Sequence, residues 1–556
     1  MTDAARRAER VRSELAFDNQ PGEIGDYDPF TGDRALEDAV CVFGANWARA
    51  RIGKVARQCG AAATRALAAD ANRFPPELVS HDRFGRRIDE IAFHPAWHRL
   101  MEMALASGTH AIAWTEDRPG AHVARAAMSY LWNQAENGIC CPLAMAFAAP
   151  AALRHAPALA GEWEPRLFRT AHDPRPVPAE DKAGILVGMA MTERQGGSDL
   201  RQTRTEARPM GAARGPGAPY RLDGHKWFFS VPHCDIFLTL ARTEAGVGCF
   251  LARGWLPDGR RNGLRIDRLK DKCGNRANAS AEVTFEGLEA VMLGAEGRGI
   301  ATLIEMAHLT RLDIAVASAG LMRQALSQAI HHARWRRAFQ RRLADQPLMG
   351  AVLADLAAEA EAMLWLAFRV AATPETGRRD PAEALFGRIA VPAAKYWACR
   401  RAPGFVAEAL ECHGGNGYVE THLMARLYRE APLNGIWEGA GNVICLDVAR
   451  AVARAPETVD AFLAEIRQAA GEPALDTAAA ALEPALRGLP ANEAAARHVV
   501  ERMAQLLQAS LLLRPAPAEV AGHFVDTRLG GAGGGHYGAF DRRSDCAAII
   551  ERATVA

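Results

Sequence analysis

A lone carboxylate in an apolar segment, Glu438, has the residue type and the surroundings of a general base. It lies in residues 433–442 (LNGIWEGAGN), where Ile436 and Trp437 precede it and Gly439 follows it. Apolar surroundings raise the pKa of a carboxyl group by desolvation, which suits a base that works near neutral pH. On these residues alone, a solvated loop glutamate is the simpler interpretation.

A second segment could hold a ring edge or a pyrophosphate. Residues 185–199 (ILVGMAMTERQGGSD) run from an apolar strand into Thr192, two glycines and Ser198. Such a loop offers backbone N–H groups and hydroxyls with little steric hindrance. An ordinary Gly-Gly turn explains the same residues, so this segment by itself is a weak signal.

A third segment, residues 224–230 (GHKWFFS), places three aromatic side chains in a row. Strand alternation predicts that Trp227 and Phe229 face one side and Phe228 the other. The three rings either pack in a core on both faces or form a wall for a planar cofactor.

The elements that must position these segments follow the order helical, β, helical. Residues 35–170 are alanine-rich with helical periodicity, short alternating runs mark a mainly antiparallel β-domain, and helices return after residue 299. We predict an α+β fold with an N-terminal arm and helical domain, a β-domain, a helical bundle and a helical C-terminal extension, at residues 1–181, 182–295, 296–454 and 455–556. This order is not the βαβ alternation of a Rossmann domain.

Finer predictions concern local signals. The pair Asp223-Gly224 predicts a two-residue hairpin. Asn442 is placed to cap a helix that runs to Arg454. The helix that begins near Ala301 is expected to reach about Phe339, and the extension is expected to be helical to residue 513 and loop-like afterwards.

Composition excludes several classes of protein. With 49% hydrophobic residues in 556, the chain can bury a large core and is not disordered. It has no apolar run near the roughly 18 residues of a membrane span, and its 17 histidines show no metal-ligand spacing. A polar N-terminus and 11 dispersed cysteines predict a cytoplasmic protein with reduced thiols.

Five segments in the same order resemble the flavin-dependent acyl-CoA dehydrogenases over roughly residues 40–450. They are MTERQGGSD (191–199), GHKWFFS (224–230), KDKCGNRANASAEVTF (270–285), ECHGGNGY (411–418) and WEGAGN (437–442). Within that family, the phrases WFFSVP, PDGRRNGLRIDRLKDK and LYREAPLN and the C-terminal extension are similar to the AidB-type alkylation-response branch.

The resemblance implies an FAD flavoprotein, with the flavin between the β-domain and the last helical domain and with Glu438 as the catalytic base. Other branches carry the base on an earlier helix, where this chain has Thr310 before Arg311. No metal is implied. The implied cofactor contacts are Met189, Met191, Thr192, Ser198, Phe228, Phe229, Ser230, Arg336, Ile436, Trp437, Gly439 and Asn442.

The implied function is that of an FAD-containing acyl-CoA dehydrogenase homologue in the response to DNA alkylation. It would be a cytoplasmic homotetramer that binds double-stranded DNA and has weak activity on short or branched acyl-CoA. The alternative is a fully active short or branched-chain acyl-CoA dehydrogenase without a DNA role. A third possibility, an oxidase of small nitroalkanes, uses aspartate as its base, and Glu438 counts against it.

The densest basic segment, residues 331–342 (HHARWRRAFQRR), could contact DNA phosphates. On one continuous helix, Arg334, Arg337 and Arg341 would share a face. A subunit interface with Arg336 on the FAD pyrophosphate is the favoured interpretation. The formal net charge of +1 excludes a chain-wide polyanion-binding surface.

Overall fold

The computed structural model describes residues 19–541 and 544–555. Most of the predicted polar arm, residues 1–18, lies outside the described residues. Within the described part of the chain, no helix is both long enough and apolar enough to cross a membrane.

The first region is helical, as predicted, apart from one β-hairpin. The alternation of exposed and half-buried residues in its first strand is the two-residue period of a strand, which the helical periodicity around it concealed. The elements are α1 (Arg34–Val42), α2 (Arg49–Gly60), α3 (Ala62–Arg73), β1 (Glu77–His81), β2 (Arg87–Ala92), α4 (Pro95–Ser107), α5 (Ile112–Thr115), α6 (Ala121–Ala135), α7 (Cys140–Leu153) and α8 (Pro157–Leu167).

The central region is a seven-stranded sheet in the order β3-β5-β4-β6-β7-β9-β8, which further pairings of β3 with β6 and of β5 with β9 curl onto itself. Most pairs are antiparallel, but β3 and β4 each pair with β6 in parallel. The strands are β3 (Val187–Thr192), β4 (Glu206–Pro209), β5 (Pro219–Ser230), β6 (Ile236–Thr243), β7 (Gly246–Arg253), β8 (Leu264–Leu269) and β9 (Ser280–Leu293).

The hairpin predicted at Asp223-Gly224 is wrong, because β5 continues through both residues. Gly224 has a φ of +155°, and a Cβ added there would lie 2.7 Å from the Thr205 Cα atom. The glycine therefore serves a bulge and a close approach of two backbone segments rather than a chain reversal.

The third region contains the longest helices. In chain order, its helices and two short strands are α9 (Gly299–Trp335), β10 (Arg337–Ala338), β11 (Arg341–Arg342), α10 (Pro347–Thr376), α11 (Pro381–Glu411), α12 (Leu423–Glu430) and α13 (Gly441–Arg454). Helix α9 begins at Gly299, next to the sheet. A side chain does not fit at this position, because a Cβ there would lie 2.1 Å from the Gly248 carbonyl carbon. This close approach places α9 directly against the β-region.

Two local predictions in this region are wrong. Helix α9 ends at Trp335 instead of Phe339, and Phe339 and Gln340 have positive φ in a tight turn between β10 and β11. The predicted helical face of Arg334, Arg337 and Arg341 therefore does not exist. Asn442 is not a helix cap either, because α13 begins one residue earlier and its cap position is occupied by Ala440, which makes no side-chain hydrogen bond.

The extension packs on α10 and α11. It is helical beyond residue 513, so the predicted loop is interrupted by two more helices. Its elements are α14 (Glu457–Ile466), α15 (Pro473–Arg487), α16 (Ala496–Leu513), α17 (Ala518–Arg528) and α18 (Cys546–Ala553). The predicted order of helical, β, helical and extension regions is confirmed.

Candidate active site

A small cavity lies where α6, α7 and α9 meet the segment that precedes α13. It measures about 60 Å³, several times the room that one water molecule needs. Its wall includes Ser230 at the end of β5, Thr310 and Asp313 on α9, and Trp437 and Glu438. The cavity thus joins a residue of the aromatic segment to the candidate base.

Glu438 has a carboxyl oxygen without a partner. Its Oε2 atom is buried and accepts no hydrogen bond from the described residues. Burial raises the pKa of the Glu438 carboxyl, while the charge of Arg311, the Thr310 hydroxyl and the charge of Lys395 oppose that rise. Leaving a buried acceptor unpaired costs about 1–3 kcal/mol, so this atom points to a ligand group that completes the site.

The backbone around Glu438 is held in an uncommon conformation by two cations. Its φ is +56°, and that of Gly439 is +109°. Arg311 Nε donates to the Glu438 carbonyl at 2.9 Å, and Lys395 Nζ donates to the Gly439 carbonyl at 2.6 Å. Positive φ at a non-glycine residue costs on the order of 1–3 kcal/mol. These contacts maintain the turn that directs the carboxylate into the cavity.

Lys395 is a residue of the site that sequence reasoning missed. It is 1% exposed on α11, and its pKa is lowered by burial. The available signal was a lysine in the apolar stretch AVPAAKYWA, in a chain whose other cations are almost all arginine. A buried lysine needs an acceptor, and here that acceptor is the backbone beside the base.

Asp313, which lies within the apolar helix α9, forms an ion pair with Arg125. Both side chains are at least 95% buried, and Ser129 Oγ donates to the same aspartate oxygen at 2.8 Å. The pair ties α6 to α9 along the wall of the cavity. Asp313 is therefore a paired structural carboxylate rather than a second base.

The two glycine- and aromatic-rich segments lie on neighbouring strands. Met189 of β3 pairs with Ser230 of β5, and Thr192 pairs with Phe228. No side chain fits at Gly197, because a Cβ would lie 2.4 Å from Thr192 Oγ1. The sheet thus brings the predicted cofactor residues of both segments to one edge, next to the cavity.

The predicted faces of the three aromatic residues are wrong. Lys270 Nζ lies 3.6 Å from the ring centroid of Trp227 and 4.6 Å from that of Phe228, so these two rings share a side. Phe229 is fully buried against Phe237, with ring centroids 4.7 Å apart. The cause is a bulge in β5 between residues 226 and 229, which breaks the two-residue alternation.

The other predicted cofactor residues occupy different depths. Met189 is buried, Met191 and Gly439 are half-buried, and Ser198, Ile436 and Asn442 are exposed. Arg336 directly follows α9, about 26 residues after Thr310, or roughly 39 Å along the helix. Its Nη1 atom donates to the Asn19 carbonyl at 2.6 Å. Arg336 is therefore remote from the Glu438 cavity of its own chain.

Glu193, the acid within the second segment, belongs to a separate ion pair. Lys226 Nζ lies 2.8 Å from its Oε1 atom, and Thr205 Oγ1 donates to the same oxygen at 2.6 Å. These partners outweigh desolvation and lower the pKa of Glu193 to about 2. Because its carboxylate is fully engaged away from the cavity, Glu193 does not compete with Glu438.

Comparison with known families agrees with this geometry. Residues 19–174 match the adaptive response protein AidB N-terminal domain, residues 188–288 the acyl-CoA dehydrogenase middle domain, and residues 297–453 the acyl-CoA dehydrogenase C-terminal domain. The chain belongs to the acyl-CoA dehydrogenase family. Its N-terminal match assigns it to the AidB-like branch of that family.

Individual relatives cover most of the chain. AidB of Escherichia coli (strain K12) is 45% identical over 434 residues, which are 78% of this chain and 79% of that protein. Acyl-CoA dehydrogenase family member 11 of Caenorhabditis elegans is 30% identical, with 79% and 75% covered. The crystal structure of Caenorhabditis elegans ACDH-11 in complex with C11-CoA matches with a TM-score of 0.83, 26% identity, and 96% and 94% coverage.

Membership makes the protein an FAD-dependent oxidoreductase of the acyl-CoA dehydrogenase type. The residues present fit that cofactor. Phe228 is 48% exposed and Ile436 64% exposed, and each is within two residues of the cavity wall. Exposed apolar side chains next to a buried, unpartnered carboxylate oxygen offer the apolar faces and the reactive group that a flavin ring and its substrate require.

Proposed function

We propose that Glu438 is the base of an acyl-CoA dehydrogenase reaction, and that this protein also binds double-stranded DNA in the response to DNA alkylation. The unpartnered, buried Glu438 Oε2 atom carries the catalytic part of the proposal. The substrate is an acyl-CoA, short or branched, and the activity is weak. We expect the protein to be located in the cytoplasm, together with acyl-CoA and DNA.

In this proposal Glu438 takes the proton from the carbon next to the thioester carbonyl. When bound, FAD supplies the acceptor for the hydride from the adjacent carbon. The negative charge that develops on the thioester oxygen needs a fixed donor. The Glu438 N–H group has no hydrogen-bond partner among the described residues and supplies such a donor.

The residues that would hold the cofactor divide into two groups. The edge formed by β3 and β5 offers Met189, Met191, Thr192, Ser198, Phe228 and Ser230, and the turn offers Ile436, Trp437 and Gly439. Phe229 does not belong to this group, because its ring is buried in the sheet. The exposed Asn442 follows the turn at the start of α13. Arg336 would instead reach the cofactor of a neighbouring subunit in a homotetramer, since it is remote from its own cavity.

The first prediction concerns the cofactor. The purified protein is expected to be yellow and to contain noncovalent FAD near one per chain, because the β3–β5 edge and the Glu438 turn form one site in each chain. Denaturation followed by chromatography of the released flavin measures this. Release of FMN, or no flavin uptake after incubation with FAD, would contradict the proposed cofactor site.

DNA binding is supported by unneutralised charge on the β10–β11 hairpin. Arg337 pairs directly with Arg342 across the two strands, and Arg341 lies next to them. All three are exposed, and none forms an ion pair with a described residue. Like charges opposite each other destabilise a strand pair, so an anionic partner would relieve the repulsion. The extension contributes little, because residues 451–556 hold 10 Arg against 13 acidic residues.

The second prediction follows from this hairpin. Affinity for duplex DNA should fall steeply between about 50 and 200 mM salt, with little dependence on sequence. Replacing Arg341 and Arg342 by alanine should weaken binding and reduce the slope of log affinity against log salt by about two for each engaged subunit. Fluorescence anisotropy with a labelled duplex measures both quantities.

A matched control replaces Arg208 and Arg260, two exposed arginines that already pair with Glu206 and Asp258. It should leave the salt slope almost unchanged. The same preparations are then tested by anaerobic flavin reduction against a panel of acyl-CoAs. Fast reduction together with no DNA affinity at low salt would favour the fully active dehydrogenase without a DNA role.

A further inference from the structure

The cavity is elongated along α9. One face of the helix lines it with Thr310, Ile314, Ala317 and Leu321. The distance along the helix from the first to the last of these residues is about 16 Å, at 1.5 Å per residue. Glu438 lies at the Thr310 end, because the Thr310 hydroxyl is near enough to lower the pKa of its carboxyl group. The remaining length of the cavity leads away from the base toward Leu321.

The distal end carries two amide side chains beside the apolar Leu321. Gly320 packs so closely on α6 that an added Cβ would lie 3.3 Å from Asn133 Cβ, which places Asn133 at this end. Asn137 lies one turn further along, and its Nδ2 atom donates to Asn133 Oδ1 at 3.1 Å. Both asparagines line the cavity.

A carboxyl group, Glu430, completes the same end. It is 4% exposed and lines the cavity, and its Oε1 atom accepts a hydrogen bond from Asn275 N at 2.7 Å. No donor from the described residues reaches its Oε2 atom. Burial and the nearby carboxylate of Glu136 raise the pKa of Glu430 to about 7.

Two cations lie near Glu430, but both donate their hydrogen bonds to other groups. The positive charges of Arg426 and Lys272 favour its ionised form, but Arg426 Nη2 donates to the Ala135 carbonyl at 2.9 Å, and Lys272 Nζ donates to the Asn278 carbonyl and to Ser280 Oγ. Neither cation forms a direct ion pair with Glu430. Its free oxygen thus remains an acceptor at the cavity surface.

An aliphatic tail would be a poor occupant of this end. It would cover the Glu430 Oε2 atom, which accepts no hydrogen bond from the described residues, without supplying a donor, at a cost of about 1–3 kcal/mol. A carboxylate would face Glu430 and the paired Asp313. A hydrogen-bond donor on the tail would satisfy the free Glu430 oxygen, and it would not be repelled by the negative charge of the carboxylate.

We propose that Glu430 determines substrate specificity by accepting a hydrogen bond from the distal end of the acyl group, so that the preferred substrates are acyl thioesters whose tail carries a hydroxyl or an amino group. This inference rests on the proposed dehydrogenase function. The reaction itself is unchanged: Glu438 takes one proton as a carbon–carbon double bond forms, and FAD, when bound, would supply the acceptor for the hydride from the adjacent carbon. The donor group on the tail stays intact.

The test compares matched substrates on the FAD-loaded protein. Plain, ω-hydroxy, ω-amino and ω-carboxy acyl-CoAs of four to eight carbons are mixed anaerobically with the enzyme, and kcat/KM is obtained from the loss of flavin absorbance. At the best chain length, a hydroxyl or amino tail should raise kcat/KM about tenfold or more over the plain tail, as one satisfied buried acceptor implies. The carboxy series should be the poorest, and the two donor series distinguish a hydroxyl from an amine.

Two variants link the preference to the cavity. Glu430→Gln keeps the shape but removes the charge, so it should reduce the preference for the amino tail, measured as the ratio of kcat/KM for amino and plain tails, about tenfold. Asn137→Leu should shift the preference toward plain tails, and it provides a second arm if Glu430→Gln folds poorly. Calorimetric titration of the Glu438→Gln protein with the same ligands gives the preference as a ratio of Kd values without turnover.

The outcomes separate the two proposals. Reduction by plain acyl-CoAs at least as fast as by donor-bearing ones would overturn the specificity inference and leave the dehydrogenase function intact. A preference that survives both variants would remove Glu430 from the explanation. Absence of flavin reduction and of ligand binding with every series would overturn the proposed function and the inference together.

Discussion

Replacement of Glu438 by glutamine is expected to slow flavin reduction by acyl-CoA by about 10²–10⁴-fold while FAD remains bound. Glutamine has nearly the same shape but cannot accept the proton, and a positioned general base contributes an effect of this size. The cations that hold the turn, Arg311 and Lys395, contact backbone carbonyls and not the carboxylate, so the backbone should keep its conformation.

Stopped-flow absorbance measures the rate, and FAD content and thermal stability show whether the variant is intact. The matched control is Glu305→Gln, an exposed glutamate on α9 outside the cavity, and it should reduce flavin at the original rate. Undiminished turnover in Glu438→Gln would mean that the base lies elsewhere. Glu430 would then be the next candidate, since Glu193 is engaged by Lys226.

The same base gives a pH dependence with a defined sign. Glu438 accepts a proton only when ionised, and burial raises its pKa above the ordinary 4.5. The rate should therefore rise with pH through an inflection above that value, and it should be low on the acid side. This rising limb should be absent from the residual rate of Glu438→Gln.

The sequence predicted the candidate base but not the conformation that makes it available. The apolar neighbours of Glu438 made it a candidate and the family resemblance made it the predicted base, because both depend on residues close in the chain. Its positive φ and its unpartnered oxygen depend on Arg311 and Lys395, which lie roughly 127 and 43 residues away. Local patterns carry no information about such contacts.

Errors in local structure occurred where a bulge or a turn interrupted a regular period. The alternation in β5 fails at Phe228 and Phe229 because a bulge adds a residue. The basic segment fails as a helix because Phe339 and Gln340 adopt positive φ, although neither is a glycine. Phenylalanine and glutamine usually avoid positive φ, so these residue types did not predict the turn.

The largest expected loss of stability comes from the ion pair in the cavity wall. Arg125 is 1% exposed, contacts Asp313, and lies over the ring of Phe147 with its guanidinium carbon 4.1 Å from the centroid. Asp313→Ala would leave the Arg125 charge buried without its partner, which costs about 3–5 kcal/mol. We expect a clear fall in the midpoint of thermal and urea unfolding, since the pair joins α6 to α9.

Two further proteins decide whether the unpaired charge is the cause. Glu206→Ala removes an exposed pair with Arg208 and should change stability by no more than about 1 kcal/mol. Arg125→Met combined with Asp313→Leu removes both buried charges and should recover most of the loss, because a buried ion pair is often replaceable by apolar side chains. A double variant as unstable as Asp313→Ala would show that packing or the Ser129 hydrogen bond, and not the isolated charge, determines the stability of this wall.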